Sequence, residues 1–423
     1  MWHRLFKDLS FPERVMYVIL ALTVVSITLW WRLGIVAVIT FSVLSLVNIF
    51  YTGFFINRSL ARSQKICLWL MIAYSLLYIV SAIVSVNHAE GFFRAIVKSY
   101  FLILPLLCLL CNTSYLTRTH IRALFQIFTA TLLVRFVICL IISVFQLLQG
   151  TPFVEVRDWQ EDPLGMHHNY LALYIVTSIA YLYTSMVQFS CGKNKWPLWS
   201  MLGAVVVLTV YLFIISSRSG IVTLAILLVT CLIHLAFVRK KYKTALAVLT
   251  LSGALVGGLL LSMPAITARF AALHQNRVAD DRVLIWQCGM KTAQERLLFG
   301  YGSGDCMTHL MAKYEEQGYT KAITNNFNAH NQYIETLLET GIVGETILLL
   351  MLLAPALMAL RKGRRDLLSV LVIEVILIQN IFETMLNRQM GVQFIALVYC
   401  LLILAQTPPE FTAFCRPSQS DAS

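Results

Sequence analysis

Long runs of apolar residues, broken by short polar stretches, dominate this chain. Runs at 15–31, 34–56, 66–86, 93–111, 124–148, 170–190, 197–215, 219–238, 243–263, 342–360, 367–386 and 390–406 each approach the roughly 20 residues that a helix needs to cross a bilayer. The pattern predicts about twelve transmembrane helices. The 34–56 and 124–148 runs are long enough to tilt, whereas Arg94 and Lys98 leave 93–111 with a short apolar stretch. Arg4, Lys7 and Arg14 precede the first run, but no small-residue cleavage site follows it, so it is expected to stay as an anchor.

One polar interval differs from the rest. Residues 264–341 are far too many for a turn, and their helical spacing predicts three helices. The first is N-capped by Asp281, with Val283, Trp286, Met290, Ala293 and Leu297 as its apolar positions. It ends at Phe299-Gly300-Tyr301-Gly302-Ser303-Gly304, read as a tight turn because it follows a helix rather than the strand a nucleotide loop requires. The second runs from Asp305 to about Gln317. The third starts near Asn328–His330 and stops at Gly341. The expected organisation is nine spans in 1–263, the helical loop 264–341, three spans in 342–406 and a disordered tail at 407–423 rich in Pro and Ser.

Composition agrees. Of 423 residues, 58% are hydrophobic and only 13% charged, which excludes a soluble enzyme, a disordered chain and a disulfide scaffold. The net charge of +12 is explained by topology rather than by nucleic acid, since Lys and Arg concentrate on the cytoplasmic side of membrane proteins. With the N-terminus inside, 19 of the 33 basic residues fall in inner segments. The five short outer connections hold one each: Arg32, Arg94, Arg157, Arg218 and Arg388. Both termini are therefore expected in the cytoplasm and the long loop outside. The ten cysteines show no zinc-type pairing and read as small packing residues.

Chemistry is expected where polar residues gather outside. Arg218, in Ser216-Ser217-Arg218-Ser219-Gly220, sits in a very short break between two apolar runs, at the level of lipid phosphates. Its planar fork can hold two phosphate oxygens, although an interfacial arginine can also simply snorkel. Arg282 opens the first loop helix, where a cation opposes the macrodipole. A salt bridge to Asp280 is one explanation, and Asp280-Asp281 as a divalent-metal pair is a weaker one. His330 lies near the N-terminus of the third loop helix, whose positive end disfavours an imidazolium and so suits the ring to accepting a proton. The other histidines, including His167, His168, His274 and His309, form no metal-ligand spacing, and no metal is expected. Arg135 is the one charge near the middle of a span, with Glu374 as a possible partner. Arg135 and Lys98 could extend the Arg218 site inward, toward the phosphate of a membrane-embedded substrate.

The order of these features resembles the O-antigen ligase and O-antigen polymerase superfamily. The resemblance rests on Ser217-Arg218-Ser219-Gly220, then Arg282-x-x-x-Trp286 with Leu298-Phe299-Gly300-Tyr301-Gly302, then His330-Asn331-x-x-Ile334-x-x-Leu337-x-Glu339-x-Gly341-Ile342-x-Gly344. The element Glu383-x-Met385-Leu386-x-Arg388-Gln389 looks like the ligase-type members. The resemblance implies an all-α polytopic membrane protein with one large helical periplasmic loop, a GT-C-like glycosyltransferase architecture in the bacterial inner membrane. It also implies a glycan donor linked to undecaprenyl diphosphate, a lipid A-core acceptor, membrane lipid as surroundings, and no cofactor. Arg218 and Arg282 would then neutralise the departing diphosphate and His330 would activate the acceptor hydroxyl. Arg135, Lys98, Arg157, His168, Asn331, Glu383 and Arg388 are further candidates to bind donor or acceptor. A polymerase or a protein O-oligosaccharyltransferase of the same superfamily differs only in its acceptor. A lipid-linked glycan flippase is the alternative of another class, disfavoured because the polar inventory lies outside the spans rather than at the midplane.

Overall fold

In the computed structural model, residues 2–7, 9–52, 60–151, 162–189, 196–262, 281–361 and 366–406 are described. Arg157, Asp280, His274, the loop start at 264–280 and the expected tail at 407–423 lie outside them, as do the basic residues Arg58, Lys193, Lys195, Lys362, Arg364, Arg365 and Arg416. Among the described residues every regular element is a helix. After the short α1 (Trp2–Lys7), the helices are α2 (Phe11–Leu29), α3 (Trp31–Thr52), α4 (Arg62–Val84), α5 (His88–Lys98), α6 (Tyr100–Leu110), α7 (Arg118–Leu148), α8 (His168–Phe189) and α9 (Trp196–Ile214). They continue with α10 (Arg218–Ile233, extended by a π-turn at His234–Val238), α11 (Tyr242–Ser262), α12 (Asp281–Glu295), α13 (Cys306–Glu316), α14 (Thr320–Thr324), α15 (Gln332–Leu360), α16 (Leu367–Phe382) and α17 (Gln389–Ala405).

Among the described residues each expected apolar run lies mostly on helix, the 93–111 run on two of them. By length and composition, nine helical stretches among the described residues can cross a membrane, while α16 and α17 are apolar but shorter. The chain is a polytopic helical membrane protein. Most of its helices bury one face and leave large apolar side chains exposed on the other, such as Val36, Ile39 and Val43 on α3, as a surface solvated by lipid requires. Helix α8 is the exception. It is buried on nearly every side and, with α17, forms the centre of the bundle. Tyr174 stacks on Phe394 with ring centroids 4.0 Å apart and donates to the Met390 carbonyl at 2.8 Å. Tyr170, one turn earlier, donates to the Thr384 carbonyl at 3.1 Å.

The 93–111 run departs from expectation. The helix begins earlier, at His88, capped by the Asn87 side chain accepting from the Glu90 N–H, and it breaks at Ser99 into α5 and α6. The charges that shortened the apolar reading are accommodated because their counter-charges come from far along the chain. Arg94 pairs with Glu335 at 3.1 Å and with Glu339, and Lys98 lies 3.9 Å from Glu339.

Three loop helices form near the expected positions, with a fourth short helix added. Asp281, however, is the first residue of α12 rather than its N-cap, its carboxylate accepting from Tyr319 and Lys321. Helix α12 ends at Glu295, before Leu297, and its buried face differs. Ile285, Cys288, Gly289, Thr292 and Ala293 face inward, while Val283, Met290 and Leu297 are exposed. Close approach decides this. A Cβ on Gly289 would lie 2.6 Å from the Ile334 side chain, so the face of small residues takes the contact with α15.

Gly341 ends the third loop helix as expected. Its φ of 65° and ψ of −163° break α15 into a loop part and a span. The Tyr301 and Gly302 N–H groups donate to the Leu338 and Glu339 carbonyls before the break, and the Ile342 and Val343 N–H groups donate to Leu297 and Leu298 after it. The glycine-rich turn thus clamps the break from the side. It also docks on the end of α4, where the Asp305 carboxylate accepts from the Val86 and Asn87 N–H groups at 2.7 and 2.9 Å. Replacing Gly341 by Ala places a Cβ 2.4 Å from the Leu298 backbone in a backbone region that is essentially glycine's own. A stability loss of about 1–3 kcal/mol is expected, read as a lowered melting temperature in detergent; an unchanged melt would show that the break is not required.

Candidate functional site

The connections that carry Trp31, Asn87, Gly165, Ser217, His330 and Glu383 meet at one end of the bundle. Trp31 donates to the Gly165 carbonyl at 3.2 Å and accepts from Gln393 at 3.1 Å, and Asn328 donates to Thr384 at 2.8 Å.

His330 is held there in an unusual conformation. Its φ is +44°, a left-handed backbone that costs a non-glycine residue of order 1–3 kcal/mol. Neighbouring groups hold it in place. The His330 N–H donates to Asn328 Oδ1 at 3.0 Å, and the Ala329 N–H donates to Glu335 Oε2 at 3.1 Å. Glu335 Oε1 in turn accepts from Arg94 at 3.1 Å and from Asn387 at 2.8 Å. One carboxylate therefore joins the bundle, the His330 turn and the 383–388 turn.

The result is that His330 Nδ1 lies 3.2 Å from Glu383 Oε1. A carboxylate can only accept, so Nδ1 carries a proton, and in the neutral ring Nε2 is then the acceptor. The ring is half-buried, and Nε2 meets no hydrogen-bond partner among the described residues. Glu383, at the end of α16, is nearly fully buried. Burial works against its charged form, but the His330 ring, the Asn169 amide and the Thr384 N–H outweigh it and hold the carboxyl down to about 2.

The second Glu383 oxygen leads to Arg218. Oε2 accepts from Asn169 Nδ2 at 2.8 Å, and Asn169 Oδ1 accepts from the Ser217 and Ser219 hydroxyls at 3.1 and 3.0 Å. Ser217 also caps α10 by accepting from the Gly220 N–H at 3.2 Å. Gly220 is required here, since a Cβ would lie 2.6 Å from that of Ala172. The small residues around Arg218 are thus packed against α8. Arg218 itself is only half-buried, and its guanidinium has no hydrogen-bond partner among the described residues. Its charge reaches Asp281, whose carboxyl is held below its ordinary range chiefly by hydrogen bonds from Lys321 and Tyr319. Asp281 precedes the half-buried Arg282. His167 and His168 stack with centroids 4.2 Å apart beside Glu383. Burial first, and the neighbouring His168 next, pull His167 down to about 4, with Glu383 pulling the other way. Arg388 is exposed at the rim.

Several expected roles change. Arg135 does not extend this site, and its partner is not Glu374. It is fully buried in a two-pronged pair with Asp162, at 2.8 and 2.7 Å, and Glu374 instead accepts from Thr230. Asp162 also accepts from the Leu164 and Met166 N–H groups at 3.2 and 2.9 Å, so the pair shapes the turn that leads into His167 and Asn169. Lys98 is likewise committed elsewhere, 4.0 Å over the Tyr78 ring and 3.2 Å from Asn387 Oδ1. Asn331 caps α15, its Oδ1 accepting from the Tyr333 and Ile334 N–H groups at 2.9 and 3.2 Å. The metal reading of Asp281 meets a competing cation in Lys321. Cys306, Glu335 and Glu339 do converge closely enough to hold a metal ion, but the Arg94 guanidinium already supplies their positive charge, 3.4 Å from the Cys306 sulfur and hydrogen-bonded to both carboxylates. Sequence reasoning missed Asn169, His167, Glu335 and Asp162. Their one visible signal was a polar cluster directly before an apolar run.

These features define a multi-span membrane protein with a histidine–carboxylate pair and partly exposed arginines at one end of its bundle. Residues 203–349, a stretch that includes Arg218, Arg282 and His330, match the family described as O-antigen ligase. No curated protein matches the chain. The family supports a ligase- or polymerase-type membrane glycosyltransferase, acting in general on a lipid-linked glycan and an acceptor.

The Arg135–Asp162 pair generates a stability prediction. Replacing Asp162 by Ala strands a buried guanidinium and is expected to cost about 3–5 kcal/mol. Thermal unfolding measures this. The double replacement of Asp162 by Ala and Arg135 by Leu should recover part of the loss, and no recovery would mean the charge pair is not the cause.

Proposed function

We propose that this protein transfers a glycan as a block from undecaprenyl diphosphate to a hydroxyl of the lipid A-core oligosaccharide. The observation that carries the reading is the His330–Glu383 pair, joined through Asn169 to the two serines that flank Arg218. In this mechanism Nε2 takes the proton of the acceptor hydroxyl as its oxygen attacks the anomeric carbon. Glu383 fixes the ring's tautomer and supports the imidazolium that forms. The bond between the anomeric carbon and the diphosphate oxygen breaks, and the departing diphosphate gains negative charge. Arg218 and Arg282 stabilise that charge more in the transition state than in the bound donor. Arg388, His167 and His168 line the acceptor side. Attack opposite the leaving group inverts the anomeric centre.

The donor's diphosphate bond supplies the driving force, so the reaction needs neither ATP nor a nucleotide sugar. The distribution of Lys and Arg supports cytoplasmic termini and a periplasmic site in the inner membrane. The Glu383–Gln389 element supports a ligase rather than a polymerase. Its Glu383 is the partner of His330.

Purified protein, lipid-linked glycan and lipid A-core in detergent test the proposal directly. Coupled product in detergent is expected; no coupled product there, with glycan movement seen only in sealed vesicles, would overturn it. Replacing His330 by Ala should lower kcat by about 10²–10⁴-fold with donor binding nearly kept. Replacing Arg218 by Lys should also impair transfer severely, because a point charge does not reproduce a bidentate fork; near-normal turnover by that variant would remove Arg218 from the site. Activity is expected to survive EDTA.

A further inference from the structure

The turn that ends α12 is apolar and uncovered. Leu297, Leu298 and Phe299 are 48%, 56% and 70% exposed, and Ile342 beside them is 46% exposed. A loop surrounded only by water has no reason to present four such side chains together.

Where this turn sits is set by backbone hydrogen bonds. The Ile342 N–H donates to the Leu297 carbonyl at 2.8 Å, so the turn is fastened to the first residue of the span in α15. That span has a continuous outward stripe. Ile342, Thr346, Leu349, Leu353, Leu357 and Leu360 are all exposed, at steps of three and four, whereas Gly344, Leu348, Met351, Leu352 and Pro355 are buried against the bundle. Thr346, the one hydroxyl in the stripe, donates to the Ile342 carbonyl at 2.7 Å, as a polar group facing lipid must. The stripe is the lipid-facing surface of the helix. From Ile342 to Leu360 it rises about 27 Å at 1.5 Å per residue, close to the hydrocarbon thickness of roughly 30 Å. Ile342 therefore lies at the hydrocarbon boundary, and Leu297, Leu298 and Phe299 lie beside it. Arg296, next to this turn, is exposed and lies 5.5 Å over the Tyr301 ring.

We propose that Leu297–Phe299 is a membrane anchor that inserts into the headgroup–acyl boundary of the leaflet, with Arg296 at the phosphates. The occupant of this apolar patch is phospholipid, because the patch continues the lipid-facing stripe of α15 without a break. The anchor holds one end of α12, and Arg282 sits at the other end, so insertion sets the height of Arg282 above the leaflet. The proposal rests on the membrane-spanning fold and not on the glycan-transfer chemistry.

A photocrosslinking residue tests it without an activity assay. Phe299 is replaced by p-benzoylphenylalanine in the full chain, reconstituted in vesicles of phosphatidylethanolamine and phosphatidylglycerol. The same replacement at Glu315, exposed on α13, serves as the reference, and both variants are checked for the parent's melting temperature. After irradiation, mass spectrometry should find phospholipid adducts at 299 in several-fold excess over 315. Equal adduct yields at the two positions would overturn the proposal. So would a product at 299 that is a second protein chain in place of lipid.

Discussion

The segment that carries His330 stays on the bundle because two buried carboxylates, Glu335 and Glu339, are matched by Arg94 and Lys98. Each pair is spaced one helical turn apart, on α15 and α5, so two helix faces present complementary charges to one another. Burying any one of these charges alone would be strongly unfavourable. Together, and with Tyr78, Asn387 and the Ala329 N–H as further partners, they fix the height and rotation of the loop helix on the bundle. The cluster is a geometric constraint more than a source of stability, since a buried ion pair gains little over an apolar contact of equal volume.

From that constraint the site follows. Glu335 holds the backbone ahead of His330 and, through Asn387, the turn that carries Glu383. The strained φ of His330 is tolerated only because both sides of it are tied. Asn169 and the serines flanking Arg218 extend the same hydrogen-bonded line to α10. Arg135 and Asp162, although remote from any substrate, set the turn from which Asn169 emerges. The charges divide by role. Arg94, Lys98, Arg135 and their carboxylates are buried and build the frame, whereas Arg218 is only half-buried and Arg388 is exposed.

The glycine-rich turn shows a different kind of dependence. Its glycines let three backbones meet, those of α4, the loop and the start of the α15 span, at distances a Cβ would forbid. The apolar tip that results, Leu297–Phe299, is exposed because the small-residue face of α12 is used for packing. What a water-soluble domain would have buried is turned toward lipid.

Much of this architecture is legible in the linear chain. Apolar run lengths determine where the helices lie, because backbone groups in lipid must be bonded within a segment. The stop at Gly341 and the helical character of the long loop are legible too, from a glycine's conformational range and from 3.6-residue spacing. Arg218, Arg282 and His330 stand out as polar residues in places where orientation does not require them. Pairing is not legible. That Arg135 meets Asp162 and not Glu374, that Lys98 meets Glu339 and Asn387, and that Glu383 meets His330 all depend on contacts between residues separated in sequence. A charge's role is decided by what cancels it, and in a bundle the cancelling group is chosen by helix packing, which the spacing of residues along the chain does not encode.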